Sequence, residues 1–215
     1  MDDKTLQYSA EELKSADSTV RGKAEFVLSV ADLRQLPADN LPEIAFAGRS
    51  NVGKSSIINA LTAQNGLAKT SNTPGRTQQL NFFRLAERLY LVDFPGYGFA
   101  KAPEVQVKQW QKMIFTYLQG RASLKRVFLL IDSRHGIKKV DTDIMELLDK
   151  AAVTYQIVLT KIDKIAAAEL QKVLATSIAE AGKHAAAYTK VLATSSEKNI
   201  GISELRAEVA SLMKD

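Results

Sequence analysis

The chain is predicted to fold as an α/β protein: a three-layer, doubly wound, mostly parallel sheet with one antiparallel hairpin strand, built around a phosphate-binding loop. Three observations predict it. Gly48-Arg49-Ser50-Asn51-Val52-Gly53-Lys54-Ser55 directly follows the apolar run Ile44-Ala45-Phe46-Ala47, so strand, loop and helix fall in the required order. Further apolar runs alternate with segments of helical periodicity, the pattern of strands in a parallel sheet covered by helices on both faces. The 215 residues, 46% hydrophobic and 25% charged, sit near globular averages and suffice for one large core.

Residues 1–21 are polar and read as an arm or a loosely held helix, so the chain divides into an arm, 1–22, and a single domain, 23–215. Phe26-Val27-Leu28-Ser29-Val30 is β-prone and is followed by turn chemistry at Pro37, Asp39, Asn40 and Pro42. After the helix carrying Ile57, Ile58 and Leu61, Ser71-Asn72-Thr73-Pro74-Gly75-Arg76-Thr77 has no periodicity and reads as a mobile loop. The runs 80–85 and 88–93 flank a tight turn at Ala86-Glu87, which predicts an antiparallel hairpin. Val107, Trp110, Ile114, Tyr117 and Leu118 recur at helical spacing, which places Trp110 in the core rather than on a nucleic-acid stacking platform. Buried strands at 127–131 and 157–159 alternate with helices around 144–148 and 166–181. A last strand near 191–193 precedes a helix at 203–213.

Composition excludes several classes. With no cysteine there are no disulfides or thiolate metal sites, which fits a reducing compartment, and His135 and His184 are too few and too far apart to suggest zinc. The first twenty residues lack the apolar core of a signal peptide, and no stretch is long enough to span a bilayer, so a cytoplasmic protein is expected. The net charge of +5 is a weak pointer to an anionic partner such as RNA.

The loop sets the chemistry. Its glycines let backbone N–H groups turn inward on a phosphate, and the helix starting at Lys54 adds the positive end of its dipole. Lys54 supplies a full charge for the β- and γ-phosphates, and the Ser55 hydroxyl suits a magnesium ion bridging them. A second site follows the hairpin at Asp93-Phe94-Pro95-Gly96. Asp93 at a strand tip can hold a magnesium-bound water, and the Gly96 N–H can meet a γ-phosphate oxygen. The competing reading is an Asp-Pro-Gly turn closing an edge strand. Thr77 is preferred over Thr73 as the remaining protein ligand to magnesium, because Pro74-Gly75-Arg76 makes a turn that would aim it.

Thr160-Lys161-Ile162-Asp163 then selects the base. A carboxylate there can accept two parallel hydrogen bonds from the ring N–H and exocyclic amine of guanine, donors that adenine does not present together. Lys161 can lay its stem on the base plane. Thr194-Ser195-Ser196-Glu197, after the last strand, offers N–H groups and hydroxyls that could close over the guanine carbonyl.

With these pieces in this order, the sequence resembles the translation-factor-related GTPases, whose G domain is a P-loop NTPase fold. Within them it is similar to the EngB family, also called YsxC or YihA, of bacterial ribosome-assembly GTPases. The residues that carry the resemblance are Gly-Arg-Ser-Asn-Val-Gly-Lys-Ser-Ser from Gly48, Thr-Pro-Gly-Arg-Thr-Gln from Thr73, Asp-Phe-Pro-Gly-Tyr-Gly from Asp93 and Thr-Lys-Ile-Asp from Thr160. The resemblance implies GTP contacts from Gly48 through Ser56, from Gly75, Arg76, Thr77, Gln78 and Gln79, from Asp93 through Gly96, from Thr160 through Asp163, and from Thr194, Ser195 and Ser196. Lys54, Thr77 and Gly96 are the expected catalytic groups, with magnesium as cofactor. It also implies a partner, the large ribosomal subunit during maturation, and a link to septation and cell division. Nothing demands a dimer, so a monomer is expected.

Tyr97 stands where many small GTPases carry a water-orienting glutamine, and slow intrinsic hydrolysis follows. Similarity to potassium-stimulated GTPases with an asparagine at the Asn51 position suggests a monovalent cation against the phosphates. The other reading is that Asn51 merely tolerates a left-handed turn. Arg49 and Arg76 are possible arginine fingers. Two further classes compete: a phosphotransferase built on the same loop, for which residues 160–163 would have no task, and a nucleotide-gated rRNA binder using Lys101, Lys108, Lys112, Arg121, Lys125 and Arg126.

Overall fold

The computed structural model describes residues 8–68, 79–98 and 104–213, with 104–108 as backbone alone. The described strands are β1 Ala24–Val30, β2 Glu43–Gly48, β3 Leu80–Leu85, β4 Leu89–Asp93, β5 Leu124–Asp132, β6 Tyr155–Thr160 and β7 Ala187–Ala193. They form one sheet in the order β1-β3-β4-β2-β5-β6-β7. The described helices are α1 Ala10–Val20, α2 Lys54–Thr62, α3 Glu104–Gly120, α4 Lys139–Lys150, α5 Ala167–Ala181 and α6 Ile202–Ser211. Of these strands β3 alone is reversed, pairing antiparallel with both β1 and β4, while β4, β2, β5, β6 and β7 pair in parallel. The fold is the predicted doubly wound α/β sheet.

Period-two alternation explains the two core layers. Ile44 and Phe46 of β2 pack with Ile57, Ile58 and Leu61 of α2 and Leu205 and Val209 of α6. Ala45 and Ala47, between them in sequence, face the other layer with Trp110, Ile114, Ile144 and Met145. A strand covered on both faces has no solvent side, which is why the runs in β2 and β6 read as continuous rather than alternating.

The hairpin turn is at Ala86 and Glu87, both left-handed with φ of 50° and 56°, as a two-residue turn matching strand twist requires. β4 lies between β3 and β2. Asp93 therefore ends an interior strand, against the edge-strand reading. Trp110 is buried beside Tyr97, with ring centroids 6.0 Å apart. Within the segment read as an arm, α1 is capped by Ser9 and Glu12, buries Ala16 and Val20, and packs on α6, where Arg206 forms an ion pair with Asp17. No helix among the described residues is long and apolar enough to cross a membrane.

The supposed basic face is smaller than its sequence suggests. Arg121 is paired with the fully buried Glu43, and Arg126 with Glu208 at 2.6 Å, its guanidinium lying 4.2 Å over the Tyr188 ring. Both arginines hold the fold together. Lys112 and Lys125 are exposed, Lys101 lies outside the described residues, and the Lys108 side chain is not among them.

Candidate nucleotide-binding site

Parallel pairing brings the carboxyl ends of β4, β2, β5, β6 and β7 to one edge, so Asp93, Gly48, Asp132, Thr160 and Thr194 converge although 146 positions separate Gly48 from Thr194 in sequence. The phosphate loop curls between Gly48 and Gly53. Asn51 is left-handed with φ of 63°, and Gly53, the N-cap of α2, has φ of 103°. A Cβ on Gly48 would lie 2.8 Å from Val52 Cγ1 and 3.1 Å from Leu130, so close packing requires glycine there.

The segment after β4 runs against the loop. Phe94 N–H donates to Phe46 O at 3.0 Å, Tyr97 N–H to Gly48 O at 3.3 Å, and Ser50 N–H to Tyr97 O at 3.0 Å. This extends the β2–β4 pairing past both strands and presses Gly96 on Ser50, where an added Cβ would sit 2.9 Å from Ser50 Oγ. The Lys54 ammonium forms an ion pair with Asp93 Oδ1, both groups largely shielded from solvent. Phe94 is buried and Pro95 half-buried.

On the other side Thr160 Oγ1 donates to Val52 O at 2.7 Å. Lys161, itself left-handed, reaches back over the loop: its Nζ donates to Asn51 O at 2.6 Å and meets Asp132 Oδ2 at 2.9 Å. Burial alone would raise the Asp132 pKa, but hydrogen bonds from Arg134 and Lys161 hold it well below the usual carboxylate range. Asp163 lines a cleft of about 770 Å³ shared with Gly53, Ser56, Thr160, Lys161 and Ser196. The Ser195 hydroxyl, with Lys164 beside it, draws the Asp163 carboxyl below its ordinary pKa. Lys164 Nζ is 3.1 Å from Oδ2, which makes no hydrogen bond among the described residues.

Thr194 and Ser195 are fully buried; the Thr194 hydroxyl braces the end of β6, and that of Ser195 serves both its own loop and Asp163. Thr194 Oγ1 donates to Leu159 O at 2.8 Å, and Ser195 Oγ accepts from Lys198 N–H at 3.0 Å. Ile162 N–H donates to Thr194 O at 3.3 Å, so the two base-side segments brace each other. Of this pair of segments, Thr160, Lys161, Asp163, Ser196 and Glu197 line the cleft. Gln79 is half-buried immediately before β3. Gly75, Arg76, Thr77 and Gln78 lie outside the described residues, as does Thr73.

Two side chains next to the phosphate loop are engaged by a buried acid. Tyr97 does not face the loop: its hydroxyl donates to Asp141 Oδ1 at 2.9 Å in the core, and burial together with that carboxylate drives its pKa well up. Arg49 is not poised as a finger, since its Nε pairs with Asp141 Oδ2 at 3.3 Å and its Nη2 donates to Gly136 O at 3.2 Å. Sequence reasoning missed Asp132, Arg134 and Asp141. An acid closing the apolar run 127–131 was the available signal for Asp132, whereas Asp141, in Lys138-Lys139-Val140-Asp141, reads as a solvated helix start.

Fold and phosphate loop are those of a P-loop nucleotide-binding protein, and the family match makes it a GTPase. A family model described as 50S ribosome-binding GTPase matches residues 43–161. A probable GTP-binding protein EngB from Rhodospirillum rubrum is 58% identical over 192 residues, covering 87% of this chain and 83% of that protein. One from Caulobacter vibrioides is 51% identical over 208 residues, 97% and 91% of the two chains. The chain belongs to the EngB family of GTP-binding proteins. Among solved structures, a probable GTP-binding protein engB aligns with TM-score 0.65 at 20% identity over 80% of this chain and 98% of its own. Aquifex aeolicus Era bound to GDP and aluminium fluoride aligns with TM-score 0.61 at 21% identity, over 81% and 56%. At these identities the likeness concerns the fold.

Proposed function

We propose that this protein is a slow GTPase acting as a molecular switch in assembly of the large ribosomal subunit in the bacterial cytoplasm, as a monomer, with a link to septation and cell division. The matching family model is described as ribosome-binding, which supports that partner. The observation that carries the guanine reading is the placement of Asp163. Its carboxylate opens on the same cleft as Gly53 and Ser56, and Oδ2 keeps an acceptor without a hydrogen bond. Guanine would satisfy that acceptor, whereas adenine, which does not present both donors together, would leave it to the Lys164 ion pair alone.

Lys54, Gly53 and the loop amides would grip the triphosphate, Lys161 would lie along the base, and Gly96 would meet the γ-phosphate. A hydroxyl and a carboxylate suit magnesium, which keeps several waters and takes further ligands from phosphates. Among the described residues no group of three or more His, Cys, Asp or Glu forms a cage for it. Ser55 and Thr77 would hold the ion directly and Asp93 through water, releasing Lys54 to the phosphates. When bound, the ion neutralises charge developing between the β- and γ-phosphates. Tyr97 cannot orient the attacking water from the core, which supports slow turnover. Asn51 remains the candidate for a potassium site, tested by comparing turnover in potassium and in sodium. A plain rRNA-binding module is less favoured, since Arg121 and Arg126 are engaged internally.

The test is a titration of GTP, GDP and ATP with magnesium on the wild type and Asp163→Asn, repeated with isolated large subunits. Guanine nucleotides should bind roughly 10³-fold tighter than ATP or more, the variant should lose that preference, and GTP should promote association with the subunit. ATP held as firmly as GTP would overturn the guanine reading. Association indifferent to nucleotide would overturn the switch.

A further inference from the structure

One buried carboxylate gathers three segments. Asp141, in the first turn of α4, has no solvent exposure. Its Oδ1 accepts from the Tyr97 hydroxyl at 2.9 Å, and its Oδ2 accepts from Lys138 N–H at 2.8 Å and lies 3.3 Å from Arg49 Nε. Arg49 belongs to the phosphate loop and Tyr97 follows Gly96, so a single acid outside both motifs fixes one residue from each. The backbones of Arg49 and Tyr97 already face each other as a parallel bridge, and Gly96 is held on Ser50 between them. Beyond Tyr97 the chain turns at Gly98 with φ of +76°, where an added Cβ would lie 3.6 Å from Arg49 Cγ and 3.7 Å from Val140 Cγ2.

We propose that Asp141 is a positioning residue for GTP hydrolysis: by holding Arg49 and Tyr97 together it sets the Gly96 amide against the phosphate loop before nucleotide arrives. This rests on the assignment of Gly96 to the γ-phosphate made above. A preorganised donor lowers the barrier because no reorganisation is needed as charge develops. Removing the charge at Asp141 leaves Arg49 without its counterion, and removing the Tyr97 hydroxyl frees the residue that follows Gly96. Either change loosens Gly96 without touching Lys54, Asp163 or the cleft. GDP carries no γ-phosphate, so its affinity does not depend on the Gly96 amide, and Tyr97→Phe, which leaves Arg49 its counterion, reads that amide alone.

The experiment compares Asp141→Asn, Tyr97→Phe and the double variant with the wild type by single-turnover GTP hydrolysis and by GDP titration, with urea unfolding as a check. Each single variant should hydrolyse GTP about tenfold more slowly, with GDP affinity in Tyr97→Phe within about twofold of wild type. The double variant should be no slower than the worse single, since both act through one contact. Unchanged hydrolysis in Tyr97→Phe overturns the proposal, as does a loss of GDP affinity equal to the loss of rate, which marks a merely structural role. If Asp141→Asn does not fold, Tyr97→Phe decides by itself. Failure of the guanine reading would appear separately, as equal binding of ATP and GTP by the wild type.

Discussion

The Thr160 hydroxyl donates to the Val52 carbonyl at 2.7 Å, tying the end of β6 to the middle of the phosphate loop. The threonine hydroxyl thereby joins two segments that lie 108 positions apart in sequence. Thr160→Val keeps the shape and leaves a buried carbonyl unsatisfied. It should cost about 1–2 kcal/mol in urea unfolding and weaken GTP and GDP alike, whereas Thr160→Ser should stay near wild type. A selective loss of GTP would argue against this role.

Asp132 holds the Lys161 ammonium while Arg134 grips it with two hydrogen bonds of 2.9 and 2.7 Å. Because its carboxyl titrates below the usual range in the folded state, its contribution to stability is present above about pH 4 and is lost as pH falls below that. The stability gap between wild type and Asp132→Asn should therefore be wide at pH 7 and narrow toward pH 3. A gap that widens in acid would contradict the assignment. At pH 7 the variant should also bind guanine nucleotides several-fold more weakly.

Gly201 caps α6 with φ of +70°, and a Cβ there would fall 2.0 Å from the Ala193 carbonyl oxygen and 3.3 Å from Thr194 Cα. Backbone cannot yield as a side-chain end can. Gly201→Ala should lose about 3 kcal/mol or more in thermal or urea unfolding and should loosen the loop that braces Ile162. Gly66→Ala, at φ of +77° with nothing within 4 Å, tests the conformational part alone and should cost about 1 kcal/mol.

Glu43 is fully buried at the start of β2, accepting from the Tyr117 hydroxyl at 2.5 Å and Arg121 Nε at 2.7 Å. Arg121 Nη2 also donates to Pro37 O at 2.8 Å, which pins the connection from β1 to β2. Glu43→Ala strands the buried guanidinium and should cost about 3–5 kcal/mol in urea unfolding. Glu43→Leu combined with Arg121→Met should recover much of that. A double variant as unstable as Glu43→Ala would mean that the pair stabilises the fold beyond apolar packing.

The chain by itself determined the sheet, because a strand covered on both faces must be apolar throughout and the helices between must carry one apolar stripe. That is why β2, β5 and β6, the hairpin at Ala86-Glu87 and the core placement of Trp110 were legible. It also determined the loop at Gly48 to Ser55, where backbone curvature and helix start are local properties of glycine, lysine and serine. Tertiary structure alone decided which way the remaining polar side chains face. Tyr97 turns into the core and Arg49 follows it because Asp141, 44 positions from Tyr97, offers a buried charge that must be neutralised. Arg121 and Arg126, legible only as surface cations, are drawn inward by Glu43 and Glu208 for the same reason. Spacing records what a residue does to its own backbone, whereas partners for a buried charge are chosen by the packing of distant segments.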